Sequence, residues 1–150
     1  MRSATRRRAW TALLLALAAA CRKSGDPVRE SLDEMTRAAH RRDAAAVFER
    51  VTAGFQSGDG SSRADAQALV RQTFAAYEIL DVTLTNVSIE RSENAARARF
   101  RAELSGQPRK IGGLEGLFPS SSAYDFDVRL EPEDGRWKVA WASWHEAAGR

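Results

Sequence analysis

The chain is poor in the residues that build metal centres and covalent cross-links. It has one cysteine, Cys21, and two histidines, His40 and His145. A single cysteine cannot form a disulfide within its own chain, and a zinc-type metal site needs several clustered ligands. The sequence therefore gives no support for a disulfide framework, a metal site or a cofactor.

The chain also lacks a lasting excess of positive charge. Its formal net charge is +3, from 23 basic and 20 acidic residues, but Arg2, Arg6, Arg7 and Arg8 all precede Cys21. Without these four, 19 basic residues face the 20 acidic ones, and the net charge is −1. A nucleic-acid-binding domain would carry its basic excess on the folded part, so we do not expect a nucleic-acid partner.

No hydrophobic run is long enough for a permanent membrane span. Residues 9–20, AWTALLLALAAA, are 12 uncharged residues after an arginine-rich start, whereas a spanning helix needs about 20. A positive start, a short apolar stretch and small residues before a cleavage point are the parts of a secretory signal. We therefore predict a signal peptide over residues 1–20.

The residues LAAAC at 17–21 resemble the lipobox of bacterial lipoproteins, in which the cysteine thiol is lipidated and becomes the first residue. The resemblance implies lipidation of Cys21, with palmitate among the acyl chains, and a tether over residues 21–26. It implies a cell-envelope protein that contacts the membrane through this lipid. An aspartate directly after the lipidated cysteine would favour retention in the inner membrane. Arg22 occupies that position here, so the resemblance implies the outer membrane. Alternatively, Cys21 is incidental and ends an ordinary signal peptide.

Three helices are predicted in the first half of the remaining chain. Asp26 and Pro27 are typical of a helix start, and apolar residues spaced by three and four predict a helix over residues 27–42. A second, short helix is expected through residues 44–50. Ser62 and Asp65 resemble a capping box that opens a helix to about residue 77. Between the last two helices, residues 54–62 are rich in glycine and serine and predict a turn.

The second half of the chain has the period of β-strands. Strands are predicted over residues 79–90, 95–104, 123–131 and 136–145, since apolar and polar residues alternate there. A change of apolar parity predicts a bulge near Thr85–Asn86. Helices followed by an antiparallel meander indicate an α+β domain with one solvated sheet face.

A row of arginines on one predicted strand has two possible interpretations. Arg97, Arg99 and Arg101 alternate with apolar residues, and Asp125 and Asp127 do the same on the next strand. If these strands are neighbours, Arg99 would lie near Asp127 and Arg101 near Asp125. Opposite charges across strands stabilise a sheet by about 0.2–1 kcal/mol per pair. A solvated charge ladder is therefore expected, with an anion-binding site as the alternative.

Residues 134–139, DGRWKV, together with Trp141, Trp144 and the helix-to-strand passage at 74–87, resemble the nuclear transport factor 2-like superfamily. The resemblance covers residues 27–146. It implies a cone, in which a curved antiparallel sheet of four or more strands wraps around the N-terminal helices, as in cystatin-like and SnoaL-like folds. The superfamily includes isomerases, dehydratases, transport factors, and binding or dimerising domains, so the fold does not fix the function. A homodimer is compatible with it.

Eight aromatic residues are candidates for an apolar pocket between the helices and the sheet. Core packing is the alternative, because a domain of this size needs most of its rings to close its core. Related isomerases use a tyrosine and acidic residues inside the cone, but the inward positions of residues 95–104 and 123–131 carry no acid. The candidate pocket residues are Phe55, Phe74, Phe100, Phe118, Tyr124, Phe126, Trp137 and Trp141.

The two histidines offer only weak candidates for catalysis. His40 and Asp43 are three residues apart on one predicted helix face, where a carboxylate could orient a histidine as a general base. Their strongly polar surroundings instead favour an exposed helix surface. His145 follows the last aromatic cluster and is expected at a sheet edge. We assign no catalytic residue from the sequence.

These observations predict a membrane-anchored envelope lipoprotein whose domain is a non-catalytic binding or protein-interaction module. Its expected partner is an envelope protein or an apolar small ligand. The alternative is a small pocket enzyme, such as an isomerase, dehydratase or hydrolase, that acts on an apolar small molecule.

Overall fold

Eight elements form the domain in a computed structural model, which describes residues 25–110 and 119–148. The predictions for Cys21, the signal peptide and Phe118 fall outside these ranges. The elements are helix α1 (Pro27–His40), helix α2 (Ala44–Phe48), strand β1 (Val51–Ser57), helix α3 (Arg63–Ala75), and strands β2 (Tyr77–Arg91), β3 (Ala96–Pro108), β4 (Ser121–Glu133) and β5 (Arg136–Glu146).

Side-chain caps start each helix where the sequence predicts. The Asp26 carboxylate accepts a hydrogen bond from the Val28 amide at 2.9 Å. Ser62 and Asp65 form the predicted capping box, in which each side chain binds the other residue's amide. Because four amides at a helix start lack partners inside the helix, these caps fix the first turns of α1 and α3.

The five strands form one curved, open sheet in the order β1-β5-β4-β3-β2. Strands β2 to β5 are an antiparallel meander. The helices with this curved sheet confirm the predicted α+β, cone-shaped architecture.

Strand β1 corrects the sequence prediction. Residues 54–57 were expected in a turn, but they belong to a strand that pairs in parallel with β5. Gly54 and the nearby serines conceal this strand in the sequence, and its partner lies more than 80 residues away at Val139. Tertiary pairing here overrides the local preference of the chain.

Two bulges shift the strand faces. The register of β2 against β3 shifts between Thr85 and Ser88, and Asn86 has a φ of 53°, which confirms the predicted bulge. A second shift, between Arg129 and Leu130 of β4, leaves Ala140 of β5 without a register partner. A bulge turns later side chains to the opposite face, so this second one decides where the β5 tryptophans lie.

The core lies between the helices and the inner face of the sheet. Leu130 and Val28 are among its most deeply buried side chains. Ser31 is buried beside them, and its hydroxyl donates a hydrogen bond to the Trp137 carbonyl at 2.6 Å. In residues 25–110 and 119–148, no helix has the length and apolar character needed to cross a bilayer.

Candidate functional site

Two of the predicted pocket residues belong to the closed core. Phe55 on β1 and Phe74 on α3 are both buried in the hydrophobic cluster. Trp137 is half-buried and packs against the same cluster. Packing explains these three rings without any ligand.

A row of aromatic rings crosses the inner face of the sheet beyond the helices. Phe100 on β3 stacks on Phe126 on β4 with ring centroids 5.2 Å apart, and Phe126 stacks on Trp144 on β5 at 5.9 Å. Phe100 and Phe126 are half-buried and Trp144 is exposed. We call these three residues the aromatic row. Phe100 and Phe126 belong to the predicted pocket and also pack against the core cluster. Trp144, which was not predicted, adds the exposed ring that a ligand could reach.

Trp141 lies on the opposite face from the one predicted. It pairs with Arg129 across β4 and β5, and the Arg129 guanidinium sits 4.7 Å from the centre of its ring. The bulge at Ala140 reverses the alternation of faces along β5. Trp144 therefore points inward, whereas strict alternation from Trp137 predicts Trp141 there. No local signal marks this bulge, so the sequence does not reveal Trp144 as an inward residue.

Tyr124 and Glu146 face each other at one end of the aromatic row. They are register partners on β4 and β5, on the same face as Phe126 and Trp144. This register places a tyrosine opposite an acid on the inner face. The inward positions of residues 95–104 and 123–131, considered alone, contain no acid. Glu146 is exposed, so its carboxylate is in contact with water rather than held in an apolar site.

The arginine row forms the predicted ladder on the outer face. Arg99 pairs with Asp127 and Arg101 with Asp125 in the strand register, as predicted. The closest contact to Asp127 comes diagonally from Arg97, which donates from Nη2 at 2.5 Å and from Nε at 2.9 Å. Arg101 Nε donates to Asp125 at 2.8 Å.

These contacts alter the acidity of both aspartates. The hydrogen bonds from Arg101 lower the pKa of the Asp125 carboxyl, and those from Arg97 lower the pKa of the Asp127 carboxyl. The arginines of the ladder therefore already have anionic partners, which leaves little basis for an anion site there.

His40 is exposed, as the favoured prediction had it, and it does not pair with Asp43. Asp43 caps α2, accepting a hydrogen bond from the Ala46 amide at 3.0 Å. His40 instead contacts β2, with Nδ1 3.0 Å from the Asp81 carboxylate and Nε2 2.7 Å from the Val82 carbonyl. Both ring nitrogens are thus occupied by structural contacts. His145 is exposed, with Nε2 3.9 Å from Asp125.

Two concavities lie on the helical side of the domain. One, of about 300 Å³, lies between α1 and α2 and is lined by Arg37, Arg50 and Glu49 among others. The larger, of about 570 Å³, is lined by the turn between α1 and α2, by residues of α2 and α3, and by Arg109 after β3. Of the seven predicted pocket residues that the structure describes, Phe74 is the one that lines either of them. Across the described ranges, no three histidine, cysteine or acidic side chains cluster as metal ligands.

Comparison with known proteins identifies the fold rather than a close relative. No protein-family model matches the chain, and no curated protein matches its sequence. Solved structures do match. An NTF2-like family protein from Streptomyces avermitilis, named as a candidate dehydratase, has a TM-score of 0.68 at 13% identity, over 83% of this chain and 96% of that one.

Two further structures show the same likeness. A candidate scytalone dehydratase from Novosphingobium aromaticivorans has a TM-score of 0.66 at 12% identity, over 90% of this chain and 86% of that one. Bd1075 from Bdellovibrio bacteriovorus has a TM-score of 0.64 at 10% identity. The match covers 79% of this chain but only 40% of the Bd1075 chain. These likenesses and the cone of helices and sheet show that the chain has the nuclear transport factor 2-like fold.

Proposed function

We propose that this protein is a lipid-anchored module of the bacterial cell envelope that binds an apolar partner through the aromatic row. The observation that carries the proposal is the row itself, in which three stacked rings lie on the inner face and the last of them is exposed. Exposed aromatic surface favours binding because its removal from water stabilises a complex by about 25 cal/mol per Å².

A binding role fits this face better than catalysis does. The inward neighbours of the row along the strands include Ala98, Ala102, Val128 and Ala142, none of which can transfer a proton. A general base must reach the substrate proton directly or through one water. Glu146 is the acid on this face that could do so, at the end of the row beside Tyr124.

Two observations favour an enzyme as the second candidate. The register pairs Tyr124 with Glu146, and two of the similar structures carry dehydratase names. An apolar substrate on the aromatic row would place its reacting carbon near this pair, with Glu146 as the base. The exposure of Glu146 argues against this role, because a catalytic carboxylate is commonly desolvated to raise its basicity.

The anchor is tested separately from the binding face. We expect radiolabelled palmitate to be incorporated into the full chain in a bacterial host and to be lost in Cys21→Ser. Mass spectrometry should find the mature amino terminus at an acylated Cys21. An intact amino terminus from residue 1, or an unmodified cysteine, contradicts the anchor and leaves the binding face untouched.

The binding face is tested with N-phenyl-1-naphthylamine, a fluorescent apolar probe that carries no charge and so does not compete for the arginines elsewhere on the domain. We expect Trp144→Ala to weaken its binding by about tenfold, since 1.4 kcal/mol of lost contact corresponds to that factor. Leu69→Ala is the matched control, because Leu69 is also an exposed apolar residue but lies on α3. Equal affinity in both variants contradicts the assignment. Turnover of an apolar substrate that Glu146→Gln abolishes would favour the enzyme instead.

A further inference from the structure

The larger concavity gathers positive charge from separate parts of the chain. Arg41 and Arg42 come from the end of α1, Arg71 from α3, and Arg109 from the segment after β3. Asp43 is the one carboxylate among the lining residues. Four guanidinium groups and one carboxylate give the concavity a formal charge of +3.

This charge has no partner in the part of the chain described. Within residues 25–110 and 119–148, none of the four arginines lies within 4 Å of a carboxylate oxygen, whereas four of the six arginines on the strands do. Asp43 accepts the Ala46 amide as the cap of α2, so its carboxylate is already engaged. The like charges repel each other, and none of the described residues supplies a counter-ion that offsets this cost.

Contacts with neighbouring backbone carbonyls explain why two of these arginines are present, but the other two make no such contact in the described residues. Arg42 Nη1 donates to the Tyr77 carbonyl at 2.7 Å, and Arg41 Nη1 donates to the Arg37 carbonyl at 3.1 Å. Cations at a helix C-terminus offset its partial negative charge, which accounts for Arg41 and Arg42.

The guanidinium groups of Arg71 and Arg109 make no hydrogen bond or ion pair with the described residues. The backbone nevertheless holds Arg109 at the concavity, because its amide donates to the Ala76 carbonyl at 2.8 Å. Both side chains are exposed. They are therefore positioned by the fold and available to a ligand.

The smaller concavity provides an internal comparison. It is lined by Arg37, Arg41 and Arg50, but also by Glu34 and Glu49. Arg50 forms an ion pair with Glu34. The two concavities share Arg41, but the acidic residues of the smaller one offset most of its positive charge. A generally basic helical surface would not produce this difference.

We propose that the larger concavity binds the phosphate group of a small ligand or a phospholipid headgroup. Planar guanidinium groups bind phosphate through paired hydrogen bonds, and a formal charge of +3 suits an anion with more than one negative charge. The volume of about 570 Å³ falls within the range of ligand pockets, about 300–1,000 Å³. It leaves room for an organic portion against Phe74, Ala44 and Ala75.

This site is separate from the aromatic row and does not depend on the lipid anchor. The test is a titration of the full chain in non-ionic detergent micelles, followed by amide chemical shifts. Inorganic phosphate is one probe, and short-chain phosphatidylglycerol is the other. Zwitterionic phosphatidylcholine, whose choline group neutralises its phosphate, is the control lipid without net charge. We expect shifts at residues 41–45, 71–75 and 109, and weaker binding as the salt concentration rises.

The double variant Arg71→Gln/Arg109→Gln is expected to raise the dissociation constant by at least tenfold. Neither side chain supports the fold through a contact in the described residues, so the variant should unfold like the parent chain. Arg136→Gln is the matched control, since Arg136 is also exposed and lacks an acidic partner in the described ranges but lies in the β4–β5 hairpin. It should bind as the parent chain does.

Each outcome decides the proposal. Phosphate binding that the double variant loses identifies a free phosphate compound as ligand. Binding of phosphatidylglycerol alone, lost in the same variant, identifies a lipid headgroup. No binding of either probe, or equal binding by the double variant and the control, overturns the proposal. Neither of these last results affects the test of the aromatic row.

Discussion

Replacing Gly106 by alanine should destabilise the domain severely, because there is no room for a side chain at this position. Gly106 lies on β3 opposite Leu80 of β2. A Cβ atom there would be 2.3 Å from the Ile79 carbonyl oxygen and 3.2 Å from Tyr77 Cδ1. The obstructing oxygen belongs to the backbone of the neighbouring strand, so rotation of a side chain cannot relieve the contact.

The expected loss of unfolding free energy is about 3 kcal/mol, at the upper end of the 1–3 kcal/mol typical of an overpacked site. With a urea dependence of about 2 kcal/mol per M, the unfolding midpoint should fall by about 1.5 M. Circular dichroism during urea titration at pH 7 measures it directly.

Gly54→Ala on β1 is the matched control for this substitution. A Cβ atom there meets nothing within 4 Å, and Gly54 is not among the glycines with a left-handed φ. The substitution should be neutral or stabilise by about 0.4–1 kcal/mol through the unfolded state. If Gly106→Ala unfolds at the same urea concentration as Gly54→Ala, the pairing of β2 with β3 differs from the register described.

Three further predictions concern the core and the loops. Leu130→Ala should lower the unfolding free energy by about 3 kcal/mol, because the Leu130 side chain is 2% exposed. Leu69→Ala should lower it by less than about 0.5 kcal/mol, because Leu69 is 50% exposed. Urea titration compares the two variants, and equal losses would contradict the burial of Leu130. Ser31→Ala should cost about 1–2 kcal/mol because the partly buried Trp137 carbonyl loses its donor, and an unchanged urea midpoint would show that the bond contributes nothing. Hydrogen bonds from Ser57 and Ser61 lower the pKa of Asp59 to about 2, so its stabilising effect is present above the unfolded pKa of about 3.9 and is lost as the pH falls toward 2. Asp59→Asn should therefore lose less stability than the parent between pH 4 and pH 2, and parallel stability curves would refute this.

The elements that the sequence predicts well have signals confined to neighbouring residues. The capping box at Ser62 and Asp65 needs a span of four residues. The bulge near Asn86 shows as a change of parity, and asparagine tolerates the left-handed φ found there. Such features depend on local backbone chemistry, which is independent of the rest of the fold.

The features that the sequence does not reveal depend on distant contacts. Strand β1 becomes a strand by pairing with β5, and Trp141 changes face because of a bulge that no glycine or proline marks. The arginine concavity joins three segments of the chain, with 29 residues from Arg42 to Arg71 and 38 from Arg71 to Arg109. Composition alone gave no reason to connect them.

The contacts of His40 and Arg42 also bear on the long outer strand of the sheet. Strand β2 is at the end of the sheet order, so its free side offers backbone carbonyls to any passing chain. His40 occupies the Val82 carbonyl and Arg42 the Tyr77 carbonyl. A foreign strand that tried to extend the sheet would have to displace both side chains first. The contacts of His40 and Arg42 therefore hinder the pairing of another strand with this edge of the sheet.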